Sequence, residues 1–151
     1  MTVARGSGPV VFAYDGSELA KHAIEEAGQL LEAGGEALGV TVWQPFDVGF
    51  LPEAGVRFDA AEINDVRKAA AQAAAAGAAL AEAAGFRVRS AEIEASPTWK
   101  GIAEFADEHQ ARLIVLGSHG RSGLAGALVG SVAGSVAANS RRSVLIVHRG
   151  A

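Results

Sequence analysis

Short apolar runs alternate with longer segments of helical periodicity along this chain. Val10-Val11-Phe12-Ala13-Tyr14 is a run ended by Asp15-Gly16-Ser17, the pattern of a buried strand entering a turn. Ser17 is placed to cap a helix, and Glu18 puts negative charge in its first turn. Ala20, Ala23, Ile24, Ala27, Leu30 and Leu31 then recur on one helical face, and Gly34-Gly35 closes it. A second strand follows from about Ala37 to Trp43. Pro45, Gly49, Pro52 and Gly55 make Gln44 to Asp59 a loop, with Phe46, Phe50, Leu51 and Phe58 to tuck it onto the core. Ala60 to Ala84 is alanine-rich and free of proline, a strong helix former. Phe86 to Ile93 alternates Phe86, Val88 and Ser90 against Arg87 and Arg89, which predicts a more exposed strand. Ser96-Pro97 opens a third helix with Pro97 near its first position; Ile102, Phe105, Ala106 and His109 share a face. Leu113 to Leu116 is uniformly apolar, as in a strand covered on both sides. A glycine-rich stretch, a helix from about Gly130 to Asn139, and a strand at Val144 to Val147 complete the chain.

This β-α-β-α-β-α-β-α-β order predicts an α/β fold, an open parallel five-stranded sheet with helices on both faces, as one domain over residues 1–151. Ligands of such sheets sit at the carboxyl ends of the strands, where the strand order reverses. Asp15, Val42-Trp43 and Gly117 all follow strand ends, so one crevice can gather them.

Composition narrows the function. Of 151 residues, 50% are hydrophobic and 20% charged, a soluble globular balance. A net charge of -4 gives no overall field for nucleic acid. The absence of cysteine excludes disulfides, thiol catalysis and Cys-type zinc sites and is compatible with a reducing cytoplasm. Met1 to Pro9 lacks a signal-peptide pattern. Ser122 to Ser140 runs 19 residues without a charge, long enough to span a bilayer. Its large apolar residues are few among Gly, Ala, Ser and Asn, so no membrane span is expected.

The glycine-rich stretch carries the candidate chemistry. Gly117-Ser118-His119-Gly120-Arg121-Ser122-Gly123 leads on to Gly130-Ser131-Val132. Glycines let backbone amides approach an anion, and a helix beginning at Gly130 adds unpaired amides and the positive end of a dipole. Ser131 adds a hydroxyl and Arg121 a charge. Packing is the competing explanation, since Gly126, Gly130 and Gly134 are spaced by four and suit a close helix contact. Neither a G-x-x-x-x-G-K-[ST] loop nor a dinucleotide G-x-G-x-x-G after the first strand is present.

Gly117-x-x-Gly120, nine residues and Gly130-Ser131 resemble the G-2x-G-9x-G-[S/T] pattern of ATP-binding universal stress proteins. Leu113-Ile-Val-Leu-Gly-Ser-His-Gly-Arg-Ser-Gly, Ser143-Val-Leu-Ile-Val-His and Val10-Val-Phe-Ala-Tyr-Asp-Gly-Ser are also similar to that family. The resemblance implies a Rossmann-like fold of the adenine nucleotide alpha hydrolase type and an ATP site. Leu116, Gly117, Gly120, Arg121, Gly130, Ser131 and Val132 would form its phosphate and ribose side. Asp15 would stand beside the adenosine or its metal, Ala13 and Tyr14 would line the same edge, and the Val42 backbone would meet adenine. It further implies Mg²⁺, held mainly by phosphates and water, and a homodimer through the last strand, about Ser143 to His148. Ala95 departs from the pattern, where relatives often carry glycine two residues before the helix-opening proline.

Other residues offer less. His22, His109 and His148 lack metal-ligand spacing. His119 has no acidic partner nearby in sequence and reads as a surface or hydrogen-bonding residue, not a catalytic base. Trp43 and Trp99 read as packing residues. A nucleotide-dependent stress-response regulator is the favoured function. A slow ATPase is an alternative, weakened by the lack of a loop lysine or convincing base. The other is a nucleotide-free interaction module.

Overall fold

The structure is a computed structural model that describes residues 7–45, 60–120 and 129–149. Its strands are β1 (Val10–Ala13), β2 (Glu36–Trp43), β3 (Arg87–Glu94), β4 (Leu113–Gly117) and β5 (Ser143–Val147). Its helices are α1 (Glu18–Leu30), α2 (Ala60–Ala83), α3 (Thr98–Glu108) and α4 (Ser131–Asn139). All strand pairs are parallel, in the order β3-β2-β1-β4-β5. The predicted α/β sheet is therefore correct, and the strand order reverses between β1 and β4.

Two apolar layers enclose the sheet. On one face Val10, Phe12, Val115 and Val147 pack with Ala23, Ile24 and Ala27 of α1 and Ala81 of α2. On the other, Val11, Val40, Val42, Ile114 and Leu116 pack with Ile102, Phe105 and Ala106 of α3 and Ala133 and Val136 of α4. Period-two alternation sends successive strand residues to opposite layers, which is why β1 and β4 are apolar on both sides.

α2 approaches the sheet closely. A Cβ on Gly39 of β2 would stand 3.2 Å from the backbone nitrogen of Ala78. A Cβ on Gly77 would meet the Tyr14 ring at 2.7 Å. Trp43 is a packing residue, buried with Val66 and Ala70 of α2, and its indole N–H donates to Glu92. β3 and β5 are the sheet edges, each paired on one side only.

Local boundaries differ in small, explicable ways. α1 ends at Leu30, with Leu31 as an extended C-cap. Gly34, at φ 91°, belongs to the following turn. Pro97 is the N-cap of α3, one position before the helix. Ile102, Phe105 and Ala106 face the core as expected, whereas His109 is exposed at the C-cap with its ring 4.2 Å from Phe105. The Ala95 methyl fits because residue 101 is glycine; a Cβ there would lie 2.6 Å from it. No helix among the described residues is long and apolar enough to cross a membrane.

Candidate functional site

The site is built where β1 and β4 part. After Ala13, the last residue of β1, the Tyr14 amide still donates to the Val40 carbonyl at 2.9 Å. The Thr41 hydroxyl donates to the Tyr14 carbonyl at 2.7 Å. The chain then turns at Gly16, φ 85°, a conformation that suits glycine. Oδ1 of Asp15 accepts the Ser17 amide at 3.0 Å, and the Ser17 hydroxyl accepts the Ala20 amide at 3.1 Å, capping α1. Burial raises the Tyr14 phenol above its ordinary pKa, with Asp15 and Glu18 adding electrostatically to the effect.

Across the reversal, β4 ends at Gly117. A Cβ there would meet Leu19 Cγ at 2.9 Å, so this glycine lets α1 pack against the strand end. The buried Ser118 donates its amide to Val147 of β5 at 2.8 Å. A Cβ on Gly120 would stand 2.7 Å from Asp15 Oδ2, which brings Asp15 and the glycine turn together. Gly130 is the N-cap of α4 and makes no side-chain cap bond.

The Gly130 amide donates to the Ser118 carbonyl at 2.6 Å. A Cβ on Gly130 would stand 3.0 Å from that same carbonyl oxygen. The Gly134 amide makes the first helical bond, to Gly130 at 2.9 Å. The first turn of α4 therefore offers the amides of Ser131, Val132 and Ala133, which have no acceptor within the helix. Among the described residues, a Cβ on Gly134 would have Val129 Cγ1 at 3.8 Å as its nearest contact.

The remaining candidates divide. Leu116 is buried in the α3–α4 layer, and Val132 packs against that layer from α4. Ser131 is exposed at the helix start. The Val42 side chain is 9% exposed and faces the same layer. Its backbone has the orientation of Val40, and the pairing of β1 with β2 ends at Ala13↔Val40. The Val42 backbone thus faces the space that β1 vacates. Arg121, Gly123 and Gly126 lie outside the described residues, as does most of the 44–59 loop. Among the described residues no group of three or more His, Asp or Glu side chains is arranged to hold a metal ion.

The universal stress protein family model matches residues 7–148. The chain belongs to the universal stress protein family. A universal stress protein of Methanocaldococcus jannaschii is 35% identical over 145 residues, covering 93% of this chain and 81% of that one. Another, of Mycolicibacterium smegmatis, is 31% identical over 152 residues; the match covers 93% of this chain but 45% of that longer relative. Among solved structures, a universal stress protein in complex with cAMP is 29% identical with a TM-score of 0.62, covering 94% of this chain and 97% of that chain. The universal stress protein UspA from Lactobacillus plantarum shares the fold at 19% identity and a TM-score of 0.70, covering 96% of this chain and 99% of that one.

Proposed function

We propose that this universal stress protein binds an adenine nucleotide, with ATP as its physiological ligand, and works as a nucleotide-dependent regulator in the cytoplasm. The observation that carries the reading is the uncapped start of α4 at the strand-order reversal. Three amides there, aligned with the positive end of the helix dipole, suit a phosphate group. The Ser131 hydroxyl stands beside them. The adenine would lie toward the Val42 backbone, and Asp15 would face the ribose or a metal ion. The related protein crystallised with cAMP supports an adenine ligand in this family fold.

Mg²⁺ would rest mainly on phosphates and water, with Asp15 as the nearby carboxylate. The apolar edge at β5 is a ready surface for a homodimer, because an unpaired strand exposes its donors and acceptors.

Equilibrium dialysis with ATP, AMP and cAMP tests the reading. Saturable ATP binding is expected, weakened by a chelator and by Gly130→Val. A flat isotherm up to millimolar ATP rejects it. Bound ligand at 100 times Kd should also stabilise the fold by about 2.7 kcal/mol. Sedimentation with and without ATP tests the dimer.

A further inference from the structure

The ladder between β1 and β2 stops early, and a side chain takes the place of its next bond. The register runs from Val10↔Ala37 to Ala13↔Val40, and the Tyr14 amide still donates to the Val40 carbonyl at 2.9 Å. In a parallel ladder a residue that donates to one position of its neighbour accepts from the position two residues on. The Tyr14 carbonyl should therefore accept the Val42 amide. It accepts the Thr41 hydroxyl instead, at 2.7 Å. Among the described residues the Val42 amide has no backbone acceptor.

Alternation along β2 explains how one side chain does this. Thr41 shares a face of the strand with Trp43, whose ring packs on α2. Val42 points the other way, into the α3–α4 layer. A carbonyl bonded to the Thr41 hydroxyl tips toward α2, out of the plane in which the Val42 N–H points. Thr41 is 1% exposed, and a hydroxyl so buried keeps its partner. A valine of the same shape would leave the carbonyl the Val42 amide to accept.

We propose that Thr41 is a positioning residue: by engaging the Tyr14 carbonyl it keeps the Val42 amide open for an acceptor atom of the bound base. The inference rests on the nucleotide reading above, which turns the adenine toward this backbone. Adenine carries bare ring nitrogens that accept hydrogen bonds. Water satisfies the amide in the free protein, and the base displaces it.

Amide hydrogen exchange of the full chain, read residue by residue with and without ATP, tests this beside calorimetric titration. In the ligand-free wild type Val42 should exchange well ahead of Val40, which lies inside the paired register, and ATP should slow it. Thr41→Val should protect Val42 without ligand and weaken ATP about tenfold, the scale of one hydrogen bond. Thr41→Ser, which restores the hydroxyl, should return both properties to the wild-type pattern. A merely structural threonine would not move the exchange of this one amide. Protection of Val42 in the ligand-free wild type overturns the inference, because the amide is then already engaged. Fast exchange at Val42 in Thr41→Val overturns it too, as does unchanged ATP affinity in that variant. If Thr41→Val does not fold, the wild type and Thr41→Ser decide, since each must show an open Val42 amide that ATP closes. ATP binding that leaves Val42 exchange unchanged overturns this inference alone. No ATP binding by the wild type rejects the nucleotide reading and this inference with it.

Discussion

Oδ2 of Asp15 stands 2.7 Å from the point a Cβ on Gly120 would occupy. The turn after β1 and the turn after β4 meet at this pair, where the strand order reverses. Gly120 is exposed and the obstructing atom is the end of a side chain, so Gly120→Ala moves the carboxylate without unfolding the chain. ATP affinity should fall about tenfold, or about 1.4 kcal/mol, with the thermal midpoint nearly unchanged. Calorimetric titration beside a melting curve checks both.

Gly77→Ala should destabilise the protein, against helix propensity. Alanine gains about 1 kcal/mol over glycine inside a helix. Its methyl would meet the Tyr14 ring at 2.7–2.9 Å, at Cβ, Cγ and Cδ1, and these atoms cannot swing away cheaply. Overpacking of this kind costs about 1–3 kcal/mol. A net loss of about 1 kcal/mol is expected in urea unfolding; a gain would show that the ring relaxes freely.

Tyr14 is the single tyrosine, so ultraviolet difference absorption reports it alone. Burial first, then Asp15 and Glu18, holds its pKa above 10.0. Its midpoint should lie above that value in the folded protein. A raised folded pKa contributes stability below the unfolded value that disappears as pH rises through the folded value. Unfolding free energy should therefore decline above about pH 10, and Tyr14→Phe should flatten the decline. A midpoint at or below 10 contradicts this.

Ser17→Ala removes the hydroxyl that accepts the Ala20 amide. The expected cost is about 1 kcal/mol, read as a lower urea midpoint with an unchanged slope. Asp15 keeps its own bond to the Ser17 amide, so ATP affinity should barely change.

The sheet was legible in the chain because each strand left a compositional trace. Apolar runs marked β1 and β4, and the alternating arginines of β3 marked a more exposed strand. Ser17 announced its own cap. Two features of the site were not legible. The bond from the Gly130 amide to Ser118 joins two positions distant in the chain, which glycine spacing does not encode. The shielding of His119 Nε2 comes from tertiary packing, and a histidine within a glycine turn carries no local sign of it. Gly117 illustrates a third limit, since Leu19, whose contact requires a glycine there, lies far away in the chain.

The approach of α2 to β2, with Gly39 against Ala78 and Gly77 against Tyr14, gives the alanine run a meaning beyond helix propensity. It sets the thickness of a layer. A helix with bulkier inward residues would ride higher, lift the tyrosine that follows β1 and tilt the rim of the crevice. The monotony of that segment is thus a spacing rule: the distance between helix and sheet is held to what a methyl group allows.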